Sequence, residues 1–248
     1  MSPNPPSSAC LIWLAVIAAA LPVSQVVLGQ EKDCEIDVAE PYREAAIARW
    51  SSDIDALLQL DAERQADENA LMLLGSSSIR LWDTAAEAFA PRPVIRRGYG
   101  GAKFVDLVVF AERLITPHQF DDLIVFVAND ISGSKKDRSP VEVEPLVRHI
   151  IEVARRHQPE AIIHLVEVTP TPKRFAVWPA IRELNAMLRE VALTEPNVRF
   201  VATAQHYLDQ QDQPRSELFG DDRLHQNEAG YALWASLLKR SMSDASNP

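Results

Sequence analysis

Ala70-Leu71-Met72-Leu73-Leu74-Gly75-Ser76-Ser77-Ser78 is a short unbroken apolar run that stops at glycine and continues into three hydroxyl side chains. An apolar run of this length with no alternating polar residue predicts a strand buried on both faces. Comparable runs recur downstream at Val94-Ile95, at Leu123-Ile124-Val125-Phe126-Val127, across residues 161–168 and across residues 198–201, giving five expected strands. Helical patterns lie between most of them. The clearest begins at Ser139-Pro140-Val141-Glu142, an N-cap serine, a proline at the first helical position and a capping-box glutamate. Leu146, Val147, Ile150, Ile151 and Ala154 then form its apolar stripe. Strands alternating with helices of this length imply right-handed crossovers and a parallel sheet covered on both sides. The expected fold is therefore α/β, a three-layer α/β/α sandwich with a flavodoxin-like five-stranded parallel sheet in the order 2-1-3-4-5.

Upstream, Ala45, Ala46, Ile47, Trp50, Ile54, Leu57 and Leu58 recur at spacings of three and four, so an amphipathic helix is expected within residues 41–65. Residues 1–29 carry no charged side chain and contain a continuous apolar run over residues 11–20, the pattern of an export signal. A retained N-terminal anchor is the alternative, although Pro22, Ser24 and Gln25 interrupt the apolar stretch. The expected organisation is thus a leader at 1–29, a helical segment packing on the domain at 30–69, and the core with its C-terminal helix at 70–248. Cleavage near Gly29 would remove Cys10 and leave Cys34 as the only thiol, so no internal disulfide is expected.

Of the 248 residues, 47% are hydrophobic and 24% charged, which excludes disorder as the dominant state. With 8 Gly and 17 Pro and no repeat of solenoid length, collagenous and repeat architectures drop out. The formal net charge of -10 repels a duplex-sized polyanion, so nucleic acid is not an expected partner.

In open parallel sheets ligands collect at the carboxyl ends of the strands. The turns expected there are Gly75-Ser76-Ser77-Ser78, Gly98-Tyr99-Gly100-Gly101 and Asn129-Asp130, with Asp222-Arg223-Leu224-His225 near the C-terminus. Singly, each is more often a turn or a helix cap. In the strand order 2-1-3-4-5, however, the first three meet at one end of the sheet. A serine hydroxyl needs a base to take its proton, and a histidine oriented by a carboxylate is the common solution. Asp222 and His225, three residues apart, supply both. The Ser77 amide, the Gly101 amide and the Asn129 carboxamide are candidate donors to an oxyanion.

Together these stretches resemble the SGNH, or GDSL-type, esterases and lipases, in particular the branch similar to platelet-activating factor acetylhydrolase catalytic subunits. Residues 74–82 resemble the block carrying the nucleophile, at Ser77; Arg97-Gly98-Tyr99-Gly100-Gly101 the glycine block; Val127-Ala128-Asn129-Asp130 the asparagine block; and Asp222-Arg223-Leu224-His225 the closing Asp-x-x-His. The resemblance implies Ser77, Asp222 and His225 as catalytic residues, and Ser77, Gly101 and Asn129 as an oxyanion hole. It covers about residues 70–240. Two positions depart from the pattern: Ser76 stands where the family has aspartate, and Val127 stands two residues before Asn129 where glycine is usual. A β-branched residue there would restrict the backbone and narrow the oxyanion side of the site.

Competing templates fit poorly. The α/β-hydrolase elbow G-x-S-x-G is broken at Ile79, and residues 98–103 lack the third glycine of a dinucleotide loop. Neither a metal nor another cofactor is expected, since no cluster has ligand spacing. His149 and His157 read as a solvated helix face and His164 as a core or sheet-edge residue; His118 and His206 carry no signal. Lys135-Lys136-Asp137-Arg138 reads as a hydrated loop, with a border to an anion-attracting cleft as the alternative. Ser76, Val127 and Trp178 are candidate substrate-lining residues. The expected activity is a serine esterase acting on short-chain acyl esters, with a small-molecule or carbohydrate substrate and a secreted or periplasmic location. Lysophospholipids are the next substrate class, and a non-catalytic protein that binds a glycan or cell-envelope component is the alternative function.

Overall fold

The computed structural model describes residues 37–61 and 69–243, besides Met1. The leader, Cys10, Cys34 and the far end of the expected first helix lie outside the described residues. Five parallel strands form one sheet: β1 (Leu71–Gly75), β2 (Val94–Gly98), β3 (Asp122–Phe126), β4 (Ile162–Val166) and β5 (Val198–Val201). Their order is β2-β1-β3-β4-β5. The chain therefore starts in the middle of the sheet, and β1 and β3, adjacent in space, diverge at the switch point where ligands gather.

Every β1 residue is buried, and its side chains alternate between two cores. Met72 and Leu74 join one cluster; Leu71 and Leu73 join the other. On the first face lie the helices α1 (Arg43–Gln59), α4 (Phe104–Ile115), α5 (Pro140–His157) and α6 (Trp178–Thr194), with buried residues including Trp50, Phe110, Ile150 and Leu184 in that cluster. On the second lie the short α2 (Ser77–Arg80) and α3 (Ala85–Phe89) and the C-terminal α7 (Glu228–Ser243), joined through Ile79, Trp82, Phe89 and Trp234. Trp82 stacks on both Tyr231 and Trp234, which fastens α7 to the segment just after Ser77. Such aromatic pairs contribute about 0.5–1.5 kcal/mol each beyond the area they bury.

The Ser139 amide donates to the Glu142 carboxylate at 2.9 Å, closing the expected cap of α5, and the whole anticipated stripe of that helix is buried. The first helix spans the spaced residues, but its buried stripe is narrower than the spacing predicted. Ala46, Trp50 and Ile54 are buried, whereas Ala45 and Ile47 are exposed. Because α1 packs against α4, a single row at intervals of four is enough to cover that contact. His164 lies wholly inside the sheet, its Nε2 2.6 Å from Asp122, which also pairs with Arg92 at 2.7 Å. Among the described residues no helix is long and apolar enough to cross a membrane.

Candidate active site

Two glycines shape the turns at the strand ends, one by allowing a close approach and one by its backbone conformation. A Cβ on Gly75 would lie 2.0 Å from the Phe126 carbonyl oxygen, so only glycine allows β1 to turn beside β3 there. Directly after it, the Ser76 amide donates to that carbonyl at 3.1 Å, while the Ser76 carbonyl accepts from Ile79 and Arg80 and starts α2 at Ser77. Gly101 has φ +75°, left-handed backbone that an L side chain adopts only under strain. It ends a loop tied to β1 by the Tyr99 amide on the Gly75 carbonyl (3.2 Å) and to the end of β3 by Asn129 Nδ2 on the Ala102 carbonyl (3.0 Å). The Asp130 carboxylate, fully buried, accepts from the Phe104 amide at the start of α4. Burial raises its pKa to about 6 against the lowering effect of that hydrogen bond.

Ser77 Oγ lies 2.8 Å from His225 Nε2, and His225 Nδ1 lies 2.5 Å from Asp222 Oδ2. The other Asp222 oxygen accepts the amides of Leu224 and His225, each at 2.9 Å. Burial raises the Asp222 pKa, but these two amides and the imidazole outweigh it and hold the carboxyl at about 2. It is ionised at any pH where a serine nucleophile would work. Their loop is closed on itself: the Gly220 amide donates to the His225 carbonyl, and Phe219 bridges Gln226. Tyr231, on α7, donates from its hydroxyl to the Ser78 carbonyl at 2.9 Å, linking the histidine side to the serine side.

Three donors point to further use of the site. Among the described residues the backbone amides of Ser77 and Gly101 have no acceptor. The Asn129 carboxamide spends one of its two N–H groups on Ala102 and keeps the other.

Ser76, Ser77, Phe126, Ala128, Asn129, Val168, Ile181, Phe219 and His225 line one narrow cleft. Its enclosed volume is about 20 Å³. Ser76 thus borders the cleft as anticipated. Val127 does not: it is 2% exposed and buried in the core beneath α4 and α5, because alternation along the strand end sends Phe126 and Ala128 to the cleft and Val127 away from it. Trp178 opens α6 and borders a different, open groove with Phe175 and Arg182. In the basic loop the Asp137 carboxylate accepts from Ser132, Gly133 and Ser134, and the lysines are exposed outside the cleft. Arg174, Thr169 and Thr171 line the cleft without having been singled out in the sequence. No group of three or more His, Cys, Asp or Glu side chains among the described residues is placed to hold a metal ion.

The chain belongs to the GDSL-like lipase/acylhydrolase family, whose model matches residues 74–233, more than half of its length. It is accordingly an acyl-ester hydrolase by class. Among curated proteins no sequence matches it. Solved structures share the fold at low identity. A protein of Streptococcus pneumonia provisionally named a platelet activating factor superposes with a TM-score of 0.66 at 20% identity, over 82% of this chain and 96% of that one. A GDSL-like lipase of Bacteroides thetaiotaomicron gives 0.66 at 17% identity, over 77% and 98%. A carbohydrate esterase family 3 protein of Talaromyces cellulolyticus gives 0.55 at 14%, over 72% and 98%.

Proposed function

We propose that the protein is a serine esterase for short acyl esters, with Ser77 as nucleophile, His225 as general base and Asp222 as its orienting carboxylate. The Ser77 hydroxyl donates to His225 Nε2, so attack on the ester carbonyl carbon delivers its proton to the ring. Asp222 holds the Nδ1–H tautomer that leaves Nε2 free to accept, and offsets the positive charge that develops on the imidazole. The Ser77 and Gly101 amides and the remaining Asn129 N–H receive the oxyanion. When the tetrahedral adduct collapses, the carbon–oxygen bond to the alcohol breaks and His225 returns the proton to the leaving oxygen. Water, deprotonated by the same ring, then cleaves the acyl-serine.

The observation carrying this reading is the unbroken chain Ser77–His225–Asp222 beside amides that lack acceptors. A cleft volume of about 20 Å³ compares with the roughly 10–15 Å³ that one water-sized sphere needs. So narrow a cleft favours short acyl groups over long chains. The likeness to a carbohydrate esterase supports a sugar as the alcohol part, with lysophospholipids as the second class to assay. A non-catalytic reading would need the departure at Val127 to obstruct the site, and that residue lies in the core outside the cleft. Residues 1–29 read as an export leader, which would put the activity outside the cytoplasm; sequencing the N-terminus of the natively expressed protein tests its cleavage, and an intact Met1 contradicts cleavage and favours the retained anchor. For the chemistry, p-nitrophenyl acetate hydrolysis should fall to background in Ser77→Ala. Equal rates from both proteins would remove the esterase reading.

A further inference from the structure

Asn129 can serve an oxyanion only if its amide nitrogen, not its oxygen, faces the nucleophile, and the carboxamide itself has no preference between the two orientations. Two neighbours supply the preference: the Ala102 carbonyl, which can only accept, takes one Nδ2 hydrogen at 3.0 Å, and an arginine holds the oxygen. Arg174, on the 3-10 turn Pro172–Val177 that follows β4, donates from Nη2 to Asn129 Oδ1 at 2.7 Å and from Nη1 to the Ala128 carbonyl at 2.6 Å. A guanidinium has donors only, so the atom it meets must be the amide oxygen. The turn is itself anchored, since the Arg174 amide donates to the Thr171 carbonyl at 3.1 Å and to its hydroxyl at 3.3 Å.

No carboxylate among the described residues lies within ion-pair distance of Arg174, although its side chain borders the cleft. Burial pulls its pKa below the ordinary range, with Asp137 acting in the opposite sense, yet an arginine in a protein stays charged. A cation without a carboxylate partner, held against a neutral amide, is costly to bury unless its charge is used. Here it has a use: a charge-assisted hydrogen bond to Oδ1 draws electron density from the amide and makes the opposite N–H a stronger donor.

We propose that Arg174 is a positioning residue of the esterase: it fixes the orientation of the Asn129 carboxamide and polarises it toward the oxyanion. The inference rests on the serine-esterase reading. Although Arg174 also holds the Ala128 carbonyl, its proposed effect on turnover runs through the Asn129 amide, and that makes it separable from a structural role. Losing one oxyanion donor outright costs about 10²–10³ in kcat, so Asn129→Ala should lose that much, and Arg174→Met about 10- to 100-fold, with KM changed by no more than about twofold. In the Asn129→Ala background, Arg174→Met should cost no further kcat, because the group it serves is gone. Arg174→Lys, which keeps the charge but cannot span both oxygens, should recover part of the loss.

The wild type, Asn129→Ala, Arg174→Met, Arg174→Lys, the two double variants that combine each Arg174 change with Asn129→Ala, and Ser77→Ala are to be assayed with p-nitrophenyl acetate after their thermal unfolding has been recorded. Ser77-dependent turnover with Arg174→Met at the wild-type kcat, or a loss that multiplies fully with that of Asn129→Ala, overturns the role of Arg174 and leaves the esterase reading standing. Turnover that does not depend on Ser77 overturns both. Should Arg174→Met not unfold cooperatively, Arg174→Lys is judged in its place: a several-fold kcat loss that disappears in the Asn129→Ala background supports the proposal, and wild-type kcat or full multiplication overturns it.

Discussion

Asp222 and Asp130 are two carboxylates from the same end of one sheet, and their surroundings push them in opposite directions. Asp222 sits on a loop with its side chain 44% exposed, accepts two backbone amides and an imidazole N–H, and is held at about 2. Asp130 is fully buried beneath the glycine loop, accepts a single backbone amide, and is raised to about 6. In the proposed mechanism the first acid stays ionised and orients His225. The second is a structural acid that joins the asparagine turn to the start of α4 and so fixes where Gly101 and Asn129 stand. A serine hydrolase needs both kinds of work, and burial decides which carboxylate can do which.

That contrast can be tested from both sides. On the exposed side, Asp222→Asn keeps the shape of the loop but no longer fixes the tautomer of His225, and kcat for p-nitrophenyl acetate should fall about 10⁴-fold, the size of effect such a change produces in a serine protease. A loss under tenfold would show that Asp222 does not orient the base. The sign of its pH linkage is that of a depressed carboxyl. Whatever stability its partners confer is present above its unfolded value of 3.8 and fades only as pH falls toward about 2. Loss of activity above pH 4 is therefore not to be assigned to Asp222.

On the buried side the linkage is reversed. Between the unfolded value of 3.8 and about 6, folded Asp130 retains a proton that the unfolded chain has released, so wild-type stability declines as pH rises through that window. Asp130→Asn cannot titrate. Chemical unfolding at a series of pH values should show the stability gap between the two proteins moving in favour of the variant by about 2 kcal/mol between pH 4 and 6.5. Parallel curves would mean that Asp130 is not raised. The smallest effect is expected away from both acids: Trp178→Ala, altering the open groove and not the cleft, should leave kcat/KM for p-nitrophenyl acetate within about twofold, and a tenfold fall would mean that the groove belongs to the site.

Much of the fold was legible because a doubly covered parallel sheet writes itself as short apolar runs, such as residues 70–74 and 123–127, whatever packs on either face. Asp222 and His225 were legible for a different reason: three residues apart, they can meet within one loop turn. What could not be read depended on direction or on distance along the chain. Val127 falls in an apolar run in which each residue looks alike, and only the parity at the end of β3 turns Phe126 and Ala128, not Val127, to the cleft. Arg174 meets partners 45 and 46 residues upstream because β4 lies beside β3, and nothing in the segment Lys173-Arg174-Phe175 announces it. The exposed flank of α1 was misjudged because the spacing of Ala45 and Ile47 does not reveal that the helix lies against another helix, α4.

The most direct test of the proposed chemistry is to look for the covalent intermediate. Mixed rapidly with excess p-nitrophenyl acetate and quenched in acid, the enzyme should carry one added acetyl group, confined to the peptide containing Ser77 and absent from Ser77→Ala. An acetyl group found on another residue, or hydrolysis that continues unchanged in Ser77→Ala, would contradict it.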